Sequence, residues 1–215
     1  MTRLPLFYFN IVHTYNEAGI KNQFRESQSQ SIWTEIEDSI DSLQPVPKKM
    51  YSDGLYTFNN KLIVIPPKDV PKALSEIYNM PEGHNKNILL RLANMGTSLV
   101  PCEEHELLMA SQKNETKLLR KDEAGETISD EEIGQQSLYL LTRNKVIGQV
   151  IAQTLSEDEV GVLFLDFVHN LKGMMANNYL RDTLGMNVIE LNPHVRSCGP
   201  LSMTLDENYR QVPDN

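Results

Sequence analysis

A chain of 215 residues is long enough to bury a substantial core within one α/β domain. Hydrophobic residues make up 40% of it and charged residues 23%, which excludes disorder as a description of the whole chain. The formal net charge of −9 disfavours sequence-independent binding to nucleic acids, because an acidic surface repels their phosphates.

The two cysteines indicate the cellular compartment. Cys102 and Cys198 lie in no CxxC or zinc-ligand pattern, which is typical of free thiols in a reducing environment. The apolar run at residues 6–12 is too short for a signal-peptide core or a membrane span. We therefore expect a cytoplasmic protein that does not enter a membrane.

Hydrophobic patterning predicts strands that alternate with helices along the chain. The apolar runs 6–12 and 160–167 are nearly continuous, as in strands that are buried on both faces of a parallel sheet. Ser129 and Glu132 have the spacing of a capping box at the start of a long helix. The expected strands are 6–12, 49–52, 62–65, 97–100, 160–167 and 187–191. The expected helices are 29–43, 66–79, 85–95, one that begins within 101–104, 129–155 and 174–184.

Residues 111–131 differ in character from the segments around them. They are rich in Lys, Glu, Asp and Gln, and they contain Gly125. We interpret them as a charged, exposed insertion or lid within a single domain that comprises residues 1–215.

This alternation predicts an α/β fold with a mostly parallel sheet flanked by helices. In such sheets ligands bind beyond the carboxyl ends of the strands. Four side chains with reactive chemistry follow predicted strand ends, namely His13, Asp53, Glu103 and His169. The pattern therefore places a candidate site at that edge of the sheet.

Common catalytic motifs are missing from the sequence. It contains no GxGxxG, no GxxxxGK[ST], no GxSxG and no HExxH. A dinucleotide site, a phosphate-binding loop, a nucleophile elbow and a zincin helix therefore have no support.

The two strand-end histidines allow two kinds of hydrolytic chemistry. His13 and His169 could hold a divalent metal together with Glu17 or Glu103, with water at the open position. Without a metal, one histidine could deprotonate water while a carboxylate fixes its tautomer. The alternative is that both histidines are structural.

Arg143 and Asn144 lie in the predicted long helix, within an apolar stretch. Arg143 either stabilises an oxyanion or bound carboxylate at the site, or pairs with an acid at the sheet edge as a structural residue. Asn144 can cap backbone groups beside it.

Five short features carry a resemblance to a known family: Asn10-Ile11-Val12-His13, Tyr51-Ser52-Asp53-Gly54-Leu55, Gly96 followed by Glu103, Arg143-Asn144, and Asp166-Phe167-Val168-His169. In this order they resemble the TraB/GumN group of the erythromycin esterase and ChaN-like superfamily. Members of that group carry two GxxH motifs, the second after an Arg-Asn helix. Here Asn10 and Asp166 stand in place of the two glycines, which changes how closely the backbone can approach a ligand.

The resemblance implies several activities. Some relatives are similar to metal-dependent peptidases, others hydrolyse a macrolide ester, and ChaN-like members bind haem. We therefore expect a hydrolase of ester or amide bonds that acts on a small-molecule or peptide substrate, with Mn, Co or Zn as the candidate metal. His13, His169 and Glu103 would be its ligands, Glu17 would ligate or orient, and Arg143 would stabilise the developing charge.

The alternative function is non-catalytic. On the same fold, the protein would sense a signal, contact another protein or bind a small haem-like ligand. The charged segment 111–131 would then serve as a partner-binding arm. The sequence also leaves a homo-oligomer open.

Overall fold

The computed structural model of the chain describes residues 4–11, 23–57, 61–166, 169 and 178–191, and for residues 23–29 and 123 it describes the backbone alone. The strands are β1 (Leu6–Ile11), β2 (Lys49–Ser52), β3 (Tyr56–Thr57), β4 (Ser98–Leu99), β5 (Glu103–Glu104), β6 (Gly161–Asp166) and β7 (Val188–Glu190). The α-helices are α1 (Gln23–Ser42), α2 (Val70–Lys72), α3 (His84–Asn94), α4 (His105–Glu123) and α5 (Asp130–Thr154). Shorter helical turns are Pro67–Asp69, Ala73–Ile77 and Tyr179–Thr183.

Five strands form a parallel sheet in the order β4-β2-β6-β1-β7. β1 and β6 pair over their full length, from Leu6 opposite Gly161 to Ile11 opposite Asp166. Every residue of β1 is buried, as its unbroken apolar sequence predicts. The α/β fold with a mostly parallel sheet is therefore confirmed.

Each face of the sheet is covered by helices. Alternate residues of β1 point to opposite faces, so Phe7 and Phe9 join one core and Leu6 and Tyr8 join the other. The first core is completed by α1, α3 and the helical segment that includes α2. The second is completed by α5 and the turn Tyr179–Thr183. The sheet thus lies between two layers of helices, and the carboxyl ends of its strands form one edge of the middle layer.

A second, two-stranded parallel sheet extends this edge. β3 and β5 pair with Tyr56 opposite Glu103, just after the ends of β2 and β4. Neither strand was predicted, because two residues are too few to show a period of two. This small sheet places Glu103 within a strand of its own, beyond the strand end where the sequence placed it.

The predicted strand 62–65 is wrong in most of its length. Only Ile65 forms a bridge, antiparallel to Leu99. The other three residues of this aliphatic run are exposed, although their composition is typical of a buried strand: Leu62, Ile63 and Val64. The predicted helix 66–79 is also irregular, since 3₁₀ and π turns flank a single turn of α-helix.

The charged segment 111–131 is largely helical, which corrects its interpretation as an exposed connection. α4 runs to Glu123 and packs along α5 as a helical hairpin, with Ser111 and Leu118 fully buried. The irregular part is limited to the turn before α5, where Gly125 has a positive φ of 67°. The helix was not predicted here because the few apolar residues of this segment stand among many charged ones, so their helical spacing is hard to recognise. No helix in the described part of the chain is long and apolar enough to cross a membrane.

Candidate functional site

Asp53 lies where the ends of β2 and β6 meet. Ser52 pairs with Phe164, and the N–H of Asp53 donates to the carbonyl of Phe164 at 3.0 Å. The Asp53 side chain turns back to the same strand, where Oδ2 accepts from the N–H of Asp166 at 3.1 Å. Asp53 is buried, and Asp166 is partly exposed. The two aspartates thus close the carboxyl ends of adjacent strands.

Glu103 and Arg143 form a buried, two-pronged ion pair. Nε of Arg143 donates to Oε2 at 2.6 Å, and Nη2 donates to Oε1 at 2.8 Å. Oε1 also accepts from the backbone N–H of Gly54 at 2.7 Å. Gly54 has a φ of +73°, which a residue with a side chain rarely adopts. The pair therefore joins α5, β5 and the turn after β2.

Burial and neighbouring charges shift the pKa of Arg143 in opposite directions. Burial by itself lowers the pKa of the guanidinium, but the charge and hydrogen bonds of Glu103 and the charges of Asp53 and Glu115 raise it above its ordinary value. Ser111 of α4 accepts a further bond from Nη1 at 3.4 Å. Arg143 is thus a permanent cation that is neutralised within the interior.

Cys102 lies beside this ion pair. Burial, followed by the charges of Glu103 and Asp53, raises the pKa of the thiol well above its ordinary value. Its Sγ donates to the carbonyl of Ser52 at 3.4 Å. Cys102 is therefore a buried thiol whose ionisation is disfavoured.

His169 is held by Asn144, the neighbour of Arg143 in α5. Nδ2 of Asn144 donates to the backbone carbonyl of His169 at 3.2 Å, so Oδ1 is the atom that faces the ring. Nδ1 of His169 lies 2.5 Å from that oxygen and therefore carries the proton. In the neutral ring the lone pair is then on Nε2. Both residues are buried, and His169 has no exposed surface.

The structure brings the predicted site residues together in three pairs. These are Glu103 with Arg143, Asn144 with His169, and Asp53 with Asp166. The adjacency of Arg143 and Asn144 in α5 links the first two pairs, and the charge of Asp53 acts on Arg143. His13 and Glu17 lie outside the described residues.

Three further residues belong to this cluster but were not predicted to do so. Ser111 and Gly54 supply hydrogen bonds to the ion pair, and Cys102 packs against it. In the sequence, Ser111 stands out only as part of the charged segment 111–131. The contacts of Ser111 and Gly54 depend on β3, β5 and the hairpin, which sequence patterning did not show.

Asn10, the last residue but one of β1, has a side-chain partner in β7. Its Nδ2 donates to Oε1 of Glu190 at 2.8 Å, across the pairing of β1 with β7. The amide thereby stabilises the junction of two strands, which glycine could not do. Asn10 is buried, so this contact belongs to the interior of the sheet.

The described residues do not fit a metal centre. Three of the four lone-pair sites of the Glu103 carboxylate accept from Arg143 and Gly54. Over residues 4–11, 23–57, 61–166, 169 and 178–191 no group of three His, Cys, Asp or Glu side chains could hold a metal ion. Glu103 is thus largely engaged by Arg143 and Gly54, and His13, another predicted ligand, lies outside the described residues, so the metal site stays a prediction.

Comparison with known proteins gives no match: no protein-family model, no curated protein and no solved structure matches this chain. The resemblance to the TraB/GumN group therefore stays a prediction from short, scattered segments.

Proposed function

We propose that this protein hydrolyses an ester or amide bond at the carboxyl edge of its sheet, with His169 as the general base. The observation that supports the proposal most directly is the pair of hydrogen bonds between Asn144 and His169: Nδ2 of Asn144 donates to the His169 carbonyl, and Nδ1–H of His169 donates to Oδ1 of Asn144. It fixes both the orientation and the tautomer of the ring, which a base requires. Asn144 takes the place that the sequence gave to a carboxylate.

In the proposed reaction Nε2 of His169 accepts a proton from water, and the water oxygen attacks the carbonyl carbon of the substrate. The bond to the leaving oxygen or nitrogen then breaks, and the proton passes from Nε2 to that leaving group. The Nδ1–H bond to Asn144 stabilises the imidazolium that forms between the two steps. Protons and bonds balance without a further reactant.

Arg143 has a positioning role in this proposal. Two N–H groups of its guanidinium donate to Glu103 and a third donates to Ser111, so its positive charge is already balanced by a carboxylate. Arg143 fixes the turn of α5 that carries Asn144. Since His169 is fully buried, the site must also open before a substrate reaches Nε2.

The proposal is tested with nitrophenyl esters and aminoacyl anilides, with and without Mn²⁺, Co²⁺ or Zn²⁺. The metals are included because the sequence predicts His13, His169 and Glu103 as ligands of a divalent metal. We expect His169→Ala to lower kcat by about 10²–10⁴-fold, the usual contribution of a general base. We expect Asn144→Leu to lower it by about 10–100-fold, as for other residues that orient a histidine.

Two variants distinguish orientation from folding. Asn144→Asp keeps an oxygen opposite Nδ1 and should retain more activity than Asn144→Leu, with a pH profile of kcat that differs from the wild type. Thr142→Ala is the matched control, because its hydroxyl donates to the carbonyl of Leu138 within the same helix. Wild-type activity in a folded His169→Ala protein would overturn the proposal.

A non-catalytic role is the second candidate, and the burial of the cluster favours it. Glu103 and Arg143 neutralise each other, and Asn144 and His169 bind each other, so the four residues also make a satisfied polar core. A folded wild-type protein that hydrolyses none of the substrates, with or without metal, would select this candidate.

A further inference from the structure

The α4–α5 hairpin carries a groove of about 880 Å³ that is separate from the strand-end residues. Four basic side chains of α4 line it, together with Tyr139 of α5 and Glu126 of the connecting turn. The basic residues are Lys113, Lys117, Arg120 and Lys121. None of these residues belongs to the proposed hydrolytic site.

The spacing of the basic residues places them on one face of α4. They fall at positions i, i+4, i+7 and i+8, which lie above one another on a helix. At a rise of 1.5 Å per residue, the stripe extends for about 12 Å along the helix axis. The acidic residues Glu115 and Asp122 of the same helix lie outside the groove.

The positive charge of this groove is only partly balanced within the protein. Lys117 and Lys121 each form an ion pair with Glu132 of α5, both at 2.7 Å. Lys113 and Arg120 form no ion pair within the part of the chain that the structure describes. A surplus of cations is therefore exposed on a chain whose net charge is −9.

We propose that this basic groove is a docking site for an acidic polypeptide segment of a partner protein. Lys113 and Arg120 bind carboxylates at the two ends of the segment. The half-buried ring of Tyr139 packs against an aliphatic side chain between them. The proposal is independent of hydrolysis, because it uses none of the strand-end residues.

Charge complementarity favours a short acidic segment over a nucleic acid. A long polyanion would meet the field of the whole acidic chain, which repels it. A short segment lies within about a Debye length, roughly 8 Å at physiological salt, of the groove's own cations. The four cations occupy one helix face, which matches one peptide better than the broad basic surface that a nucleic acid needs.

The test measures the binding of a fluorescein-labelled peptide rich in glutamate and leucine by fluorescence anisotropy, in about 50 mM NaCl. We expect the double variant Lys113→Glu/Arg120→Glu to weaken binding by about tenfold or more. The matched control is Lys61→Glu/Lys68→Glu, which makes the same change in net charge with two exposed lysines outside the groove. We expect it to keep the Kd within about twofold of the wild type.

Three outcomes would overturn the proposal. The first is unchanged binding by a folded groove variant, and the second is equal weakening by both double variants, which would show a response to net charge alone. The third is a single-stranded oligonucleotide of the same charge that binds more tightly than the peptide. Circular dichroism of both variants verifies that the helices are intact.

Discussion

Arg143 of α5 donates two hydrogen bonds, of 2.6 and 2.8 Å, to the carboxylate of Glu103 in β5, and both side chains are buried. Of the two roles that the sequence left open for Arg143, this contact favours the structural one. The same carboxylate also receives the N–H of Gly54, so a single glutamate joins a long helix to both sheets. The ion pair therefore connects α5 to β5 and to the turn after β2, at the edge of the sheet where the site is proposed.

Removing one member of this ion pair should be more harmful than replacing both. We expect Arg143→Met to destabilise the protein by about 3–5 kcal/mol, because the Glu103 carboxylate is then left buried without its partner. The double variant Glu103→Leu/Arg143→Met should recover most of that loss, since two apolar side chains need no counter-charge. Urea unfolding measures both free energies.

Lys145→Met is the control for this pair of variants. Lys145 lies two residues further along α5 and is exposed, so its replacement should change stability by less than about 0.5 kcal/mol. If Arg143→Met costs no more than Lys145→Met, the ion pair does not hold the layers together.

The central strands and their neighbouring helices were predictable because burial leaves a strong periodic signal. The apolar runs that became β1 and β6 gave the core of the sheet, and the predicted bounds of β2 match the observed Lys49–Ser52. The run 62–65 has the same aliphatic character, yet three of its side chains are exposed. The composition of a segment shows whether it can form a strand. Whether it does so also depends on a free strand edge elsewhere in the fold with which it can pair.

The candidate site was predictable in its members but only partly in its pairing. Asp53, Glu103, Arg143, Asn144, Asp166 and His169 were all singled out, and each contacts another member of that set. Glu103 was expected beside a histidine and is bound to Arg143 instead. Glu103 meets Arg143 because β5 places the carboxylate opposite the face of α5 that carries Arg143. A strand of two residues is too short to be predicted from the sequence, and the rotation of a helix about its axis relative to a sheet is not predicted by its ends.

The capping box of α5 gives a second stability test. The hydroxyl of Ser129 accepts from the N–H of Glu132 at 3.3 Å, and the Glu132 carboxylate accepts from the N–H of Ser129 at 3.1 Å. We expect Ser129→Ala to cost about 1 kcal/mol, since one N–H of the first turn loses its acceptor. Thr127→Ala, an exposed position in the same turn, should cost less than about 0.5 kcal/mol. Equal losses in the two variants would count against the cap.

Glu132 should make the stability of the α4–α5 hairpin depend on acid. Hydrogen bonds from Lys117, Lys121 and the backbone of Ser129 lower the pKa of its carboxyl from 4.5 to about 2. A depressed carboxyl pKa stabilises the folded state above the unfolded value, and that contribution is lost as the pH falls from about 4.5 to about 2. Thermal unfolding of the wild type and of Glu132→Gln should therefore differ at neutral pH and converge towards pH 2.

Salt provides the control for this titration. The lysines concerned lie at the surface, so high salt should reduce the difference between the wild type and Glu132→Gln at neutral pH. A difference that stays constant from pH 6 to pH 2 would mean that Glu132 acts through packing and not through its charge.

Two glycines of α5 should respond in opposite ways to the same substitution. A Cβ at Gly148 would lie 2.7 Å from Cε1 of Tyr179 and 2.9 Å from Cδ1 of Leu184, where α5 packs against the helical turn Tyr179–Thr183. We expect Gly148→Ala to destabilise the protein by about 1–3 kcal/mol, because this close packing must give way. At Gly134 a Cβ would meet nothing within 4 Å, so Gly134→Ala should stabilise the helix by about 0.5–1 kcal/mol. Urea unfolding of the two variants compares them directly, and a gain in stability for Gly148→Ala would contradict the close approach of Tyr179 to α5.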